Sequence, residues 1–400
     1  MSSPMRPPGT RLRVPMSARA VDEPHRVSSQ LELLFDLTFV VAVAAATAQL
    51  AHDVAAGHAT AGLVLFLQVF FAIWWAWMNF TWFASSYDTD DIAYRLLTML
   101  QMGGVLVLAA GVPAAAASAD YRVVTIGYLI MRVALVAQWV RAGVEDPAGR
   151  RTALRYATGI TAVQVGWVIR LVLAESDALP PAARVPSFVA LAALELMVPW
   201  WAERSRSTAW HPHHIAERYG LFTIILLGES VLAVTRGVTA ALEFTAVGGT
   251  LVVIAVSGLV LLFALWWLYF LAPAGEGLSD RRDRSFRWGY GHYGVFAALA
   301  ALGAGLEVAV EQTGHHVAAS PLVICYAVAI PVGVFLVLLW LVHAAIADRP
   351  VVRPAVLLGG VAVVLLLPLA VAAIGVAGVV AAIAGVCVLL IAAAVASGSR

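Results

Sequence analysis

The sequence predicts an all-α polytopic membrane protein of about twelve transmembrane helices, arranged as two parallel six-helix repeats. Three observations predict it. Hydrophobic residues make up 62% of the 400 and charged residues 12%, against about 25% charged in soluble domains. Apolar stretches near the ~20 residues a bilayer requires follow one another from residue 30 onward. The arginines between them fall mostly on one side.

Residues 1–27 hold Pro4, Pro7, Pro8, Pro15 and Pro24 among five arginines, with no apolar core. This composition predicts a disordered cytoplasmic tail rather than a signal peptide. The apolar segments then have approximate limits 30–51, 62–84, 92–115, 122–142, 152–174, 185–203, 215–236, 247–272, 287–310, 319–346, 354–373 and 374–396. Between the last two stand only Ile374, Gly375 and Gly378, so a broken hairpin and a pair of tilted helices are both open.

With the N-terminus inside, the cytoplasmic side collects Arg95, Arg141, Arg150, Arg151, Arg155, Arg204, Arg206, Arg218, Arg281, Arg282, Arg284, Arg287, Arg349, Arg353 and Arg400. The outer side keeps Arg122, Arg170, Arg184 and Arg236. Excess basic residues mark the cytoplasmic side, so both termini are expected there.

An internal repeat divides the chain into 28–206 and 207–400. Glu32-Leu-Leu-Phe-Asp-Leu-Thr-Phe opens the first segment and Glu217-Arg-Tyr-Gly-Leu-Phe-Thr-Ile the seventh. Trp74-Trp75 lies in the second and Trp266-Trp267 in the eighth. A charged, aromatic loop follows each pair. An even number of passes per half makes such repeats parallel.

Charge inside apolar segments marks candidate function, because an ionisable group at bilayer depth costs about 2.5–3.5 kcal/mol on insertion scales. Glu229 lies twelve residues beyond Glu217, roughly 18 Å along a helix and near mid-membrane. Arg236 shares its stripe, and Glu217 falls on a neighbouring one. Arg132 and Glu195 are also deep; a structural pair of Arg132 with Glu195 or Glu229 competes with a functional reading. Glu32 and Asp36 are one turn apart, fitting either a cation or proton site or a cap served by Ser28 or Ser29.

Asp88, Asp90 and Asp91 offer oxygens for a divalent cation, but their spacing fits no calcium loop and Arg95 is close, so a solvated salt-bridged turn is favoured. His211, His213 and His214, like His315-His316, lack a converging set of metal ligands and are expected to be loop histidines. Most tryptophans are expected to pack, and the runs Gly359-Gly360 and Gly375 to Gly385 to bring helices close.

No metal site, cofactor or catalytic residue is expected. Ser230 has no histidine nearby, no Walker-type loop appears, and Cys325 and Cys387 lie in separate apolar segments. The net charge of +1 argues against nucleic acid.

Leu31-Glu-Leu-Leu-Phe-Asp-Leu-Thr-Phe39, Tyr87-Asp-Thr-Asp-Asp91, Glu217-Arg-Tyr-Gly-Leu-Phe-Thr-Ile-Ile-Leu-Leu-Gly-Glu-Ser-Val231 and Ala264-Leu-Trp-Trp-Leu-Tyr-Phe270 together resemble the bacterial low temperature requirement A family. The resemblance implies a multi-pass protein of the bacterial cell membrane and little about mechanism. Leu34 stands where a second phenylalanine is expected, leaving the acidic pair untouched.

Two classes of function follow. The first is a secondary transporter or ion-conducting protein, not an enzyme, moving a small solute or ion along Glu32, Asp36, Arg132, Glu195, Glu217, Glu229 and Arg236. The second is a membrane-embedded enzyme or lipid-handling protein, with Asp88, Asp90, Asp91 and Glu32 around a groove open to lipid. The lipid bilayer is the expected partner in both; the oligomeric state is left open.

Overall fold

A computed structural model describes residues 13–21, 23, 26–244, 246–347 and 351–398. They form α-helices with no strand among them: α1 Gln30–Ala55, α2 Ala59–Tyr87, α3 Ile92–Ser118, α4 Arg122–Glu145, α5 Arg150–Glu175, α6 Pro181–Ala202, α7 Pro212–Leu242, α8 Gly249–Phe270, α9 Ala274–Asp280, α10 Ser285–Glu311, α11 Pro321–Ile346, α12 Pro354–Leu366 and α13 Val371–Gly398. Helix starts are written locally. Ser29 and Glu32 form a reciprocal capping box on α1, Asp91 accepts from Tyr94 N–H on α3, and prolines occupy the first turns of α6, α11 and α12.

Among the described residues, 11 stretches are long and apolar enough to cross a membrane. The expected eleventh and twelfth segments form one of these, Pro354–Ala396. Its helix passes through a 3-10 turn at Leu367–Ala370 and is broken at Gly375, whose φ of +68° suits glycine. The stretch doubles back, because a Cβ built on Gly360 would lie 3.0 Å from a Leu390 methyl.

The chain divides into two compact units, one of Ala72–Ile215 with the described residues up to Ala42, the other of Val43–Phe71 with those from Ala216 onward. This division does not follow the expected halves, since 43–71 groups with the C-terminal helices. In the first unit α3 packs on α4, α4 on α5 and α5 on α6. Glycines let α3 and α4 come close there: a Cβ on Gly127 would sit 2.3 Å from Leu108 N, and one on Gly104 would sit 2.7 Å from Gly127 O. In the second unit α10 packs on α11, α8 on α13 and α11 on α12. Gly359, Gly375 and Gly385 meet nothing, so of the expected glycine contacts only those of Gly360 with Leu390 and Gly378 with Ile374 are made.

The described part of the N-terminal segment corrects the expectation of disorder. Residues 13–20 are not disordered: Met16 is fully buried, and the N–H groups of Val14 and Met16 donate to Asp91 at 2.7 Å and Glu145 at 2.6 Å. One buried apolar side chain and two charge-assisted backbone bonds hold the segment down. Residues 1–12, 22, 24 and 25 lie outside the described residues. The tryptophan pairs that suggested a repeat occupy opposite environments, Trp74 and Trp75 at 1% and 0% exposure, Trp266 and Trp267 at 45% and 51%.

Candidate functional site

α1 buries Glu32, Phe35, Asp36, Phe39 and Ala42 on one stripe and turns Leu33, Leu34 and Leu37 outward. The stripe carries both carboxylates into the first unit. Glu32 receives Ser29 N–H at 2.7 Å and lies 3.1 Å from His214 Nε2 and 3.9 Å from Arg26. Asp36, one turn deeper, accepts the indole N–H of Trp77 at 2.7 Å. Arg26 also reaches Asp88 at 3.6 Å, and Arg19 reaches it at 3.4 Å. His214 is fully buried here, contrary to its expected place in a loop. His211 caps α7, its Nδ1 accepting from His214 N–H at 3.3 Å; burial, with His213 and His214 beside it, lowers its pKa and keeps that nitrogen free to accept.

The acidic loop is salt-bridged as expected, but Asp91 is not solvated. Asp91 is fully buried, paired with Arg141 at 2.9 Å. Burial pushes its carboxyl up, but Arg141 and the N–H groups of Tyr94 and Val14 prevail and hold it below the usual range. Asp90 pairs with Arg95 at 2.7 Å. Asp88 moves the other way, to about 6, raised by burial and the charge of Glu32 against the opposing pull of Arg26 and Arg19. No group of three or more His, Cys, Asp or Glu among the described residues has the arrangement of a metal site.

A carboxyl whose folded pKa is raised binds its proton more tightly when folded. Its stabilising contribution is complete below about 4 and is lost as pH rises through about 6. Thermal unfolding in detergent should therefore show stability falling by about 2–3 kcal/mol from pH 4 to 7 at this site, and Asp88→Asn should flatten the profile. An unchanged profile in that variant would remove Asp88 from the account.

Glu195, on α6, collects five donors. Oε2 accepts from Arg132 at 2.7 Å and Trp75 at 2.9 Å; Oε1 accepts from Tyr128 and Gln164 at 2.9 Å and from Trp167 at 3.3 Å. All belong to the first unit, and Glu195 and Arg132 are 0% and 1% exposed. The sequence alternatives resolve to Arg132 with Glu195, a carboxylate saturated by hydrogen bonds and built to hold α2, α4, α5 and α6 together.

In the second unit, α7 buries Tyr219, Phe222, Leu226, Glu229, Ser230 and Ala233 on one stripe. Arg236 donates to Glu229 at 3.1 Å and to Glu307 of α10 at 2.9 Å. Glu229 is 1% exposed and its Oε2 has no hydrogen-bond partner. Ser230 joins the same two helices by donating to Leu226 O at 3.0 Å and Leu299 O at 3.2 Å. Glu217 is half-buried near the start of α7, next to fully buried Arg218. Sequence reasoning missed Glu307, an acid one turn before Glu311 near the end of an apolar run. It also missed Arg26, which the proline-rich context had assigned to the tail.

The family profile described as bacterial low temperature requirement A protein (LtrA) matches residues 27–395. The chain belongs to that family. Among curated proteins this family member is 29% identical over 286 residues to an uncharacterized protein of Rhizobium meliloti (strain 1021), covering 67% of this chain and 66% of the relative. The chain thus spans just under two thirds of that relative's length. No solved structure matches it. Low temperature requirement A membership and the many apolar helices together make this an integral, multi-pass membrane protein.

Proposed function

We propose that this protein is a secondary transporter or ion-conducting protein that moves protons or small cations by way of intramembrane carboxylates. One observation carries the reading. Glu229 and Glu307 share a single cation, Arg236, and the second oxygen of Glu229 has no donor. Two carboxylates and one guanidinium leave one negative charge among apolar helices, where an unmatched charge is costly. A proton or small cation bound there removes the excess, and a site that gains and loses such a charge is what coupled transport requires. Glu32, Asp36, Asp88 and His214 form a second titratable cluster, at the end of α1. Glu195 with Arg132 is structural in this reading.

The enzyme alternative calls for acids around a groove open to lipid. Asp91 is instead sealed against Arg141 and Glu32 is fully buried, which favours transport.

With Pro354–Ala396 counted as two passes, the chain crosses the bacterial cell membrane twelve times and both termini are cytoplasmic. A shared packing order supports a parallel repeat: α3 on α4 and α4 on α5 in one half, α10 on α11 and α11 on α12 in the other. Accessibility labelling of single cysteines at Asp120, Asp177 and Glu243 should report the outer side, and at Glu145, Ser207 and Asp283 the inner side. A cytoplasmic result at Asp177 would overturn this topology. For transport itself, purified protein in liposomes should dissipate an imposed proton, sodium or potassium gradient faster than empty vesicles; equal rates for all three would refute it.

A further inference from the structure

In the first unit, α4 and α5 leave between them a groove of about 440 Å3, lined by Leu129, Arg132, Val133, Thr161, Gln164 and Val165 among others. Val133 and Val165 are 56% and 54% exposed, on the flank a spanning helix turns toward hydrocarbon. Arg132 is buried in the lining. Its Nη2 is committed to Glu195, but Nε and Nη1 have no hydrogen-bond partner. Two buried donors on one guanidinium leave room for an acceptor.

We propose that this groove binds an uncharged, carbonyl-bearing molecule dissolved in the membrane, of the quinone type, whose carbonyl oxygen accepts from Arg132. Depth selects against a lipid headgroup, because Arg132 lies near the middle of the 24-residue α4 while headgroups sit at helix ends. Charge selects against an anion. Glu195 already balances the guanidinium at 2.7 Å, so an added carboxylate would stand uncompensated in hydrocarbon, whereas a carbonyl adds an acceptor and no charge. Shape agrees: the volume is within the ~300–1,000 Å3 usual for small-molecule sites, and the aliphatic walls suit a flat ring with a hydrocarbon tail. These residues lie on other helices than Glu229 and Glu307, so the proposal does not depend on the transport reading.

The test uses the full chain in lipid nanodiscs, with empty nanodiscs as baseline and tritiated decyl-benzoquinone as probe. Wild type should bind it saturably at one site. Decylbenzene, lacking carbonyls, and decanoate, carrying a charge, should each compete at least about tenfold more weakly. Val165→Trp fills the groove from its lipid side without touching the Arg132–Glu195 pair and should lose binding at least about tenfold at unchanged unfolding temperature. Should Val165→Trp fail to fold, Ile169→Phe, at another exposed lining position, decides in its place. Several results would overturn the proposal: no saturable binding, decylbenzene binding as tightly, or full binding by the groove-filling variant. Decanoate binding more tightly would mark an anion site. A groove-filling variant that loses a dimer present in wild type would give this face to a second copy of the chain.

Discussion

Glu195→Ala is expected to destabilise the protein in detergent by about 3–5 kcal/mol, the range for breaking one side of a buried ion pair. Removing the carboxylate strands the Arg132 charge at 1% exposure and takes the acceptor from Trp75, Tyr128, Gln164 and Trp167 at once. No other side chain described here ties so many helices together. Replacing both charges, Arg132→Met with Glu195→Gln, should cost clearly less than Glu195→Ala, because no unmatched charge remains. Thermal unfolding of purified protein, followed by loss of the monodisperse gel-filtration peak, measures both. An unfolding temperature for Glu195→Ala equal to wild type would refute the structural role.

Glu229→Gln should do the reverse, sparing the fold and removing transport. The amide oxygen can still accept from Arg236, and Arg236 keeps Glu307 at 2.9 Å. The substitution also removes the excess negative charge of the triad, so no buried charge is left unmatched. What is lost is the group that takes up and releases a cation, and flux should fall at least about tenfold, the loss typical of an essential ionisable group. Arg236→Gln makes the useful contrast, since it leaves Glu229 and Glu307 together without their cation and should lower stability as well as flux. Normal stability with normal flux in Glu229→Gln would detach this residue from function.

The class and most helix limits were legible because bilayer-length apolar runs and caps such as Ser29 and Asp91 act locally. The break at Gly375 was visible as glycine, but whether the chain turned back there depended on the Gly360–Leu390 contact, which spacing does not encode. The same limit applied to the charges. That Glu229 and Arg132 must face protein follows from cost, yet the choice of Glu195 for Arg132 and of Arg236 for Glu229 is tertiary. Sharing of Arg236 with Glu307 needed α10 to pack on α7, so the charge excess was invisible in sequence. His214 and Arg26 were misread for one reason: loop-like composition was taken to mean exposure, whereas the end of α1 carries a buried carboxylate that recruits both. The tryptophan pairs show the opposite error. A shared order of motifs placed Trp74-Trp75 against Trp266-Trp267, but the first pair packs inward and Trp75 serves Glu195, while the second is exposed.

The central claim, that a carboxylate excess around buried Glu229 lets this protein carry protons or small cations, is tested most directly by pH recording inside liposomes. Vesicles containing wild type, Glu229→Gln or no protein are loaded with a pH-sensitive dye, and a potassium gradient with valinomycin sets the membrane potential. With sodium or protons as the permitted counter-ion, wild type should shift the internal pH or, for sodium, accumulate labelled ion at least about tenfold faster than either control. Wild-type vesicles indistinguishable from empty ones in every gradient between about pH 5.5 and 8 would contradict it, leaving the triad of Glu229, Arg236 and Glu307 as a structural charge network.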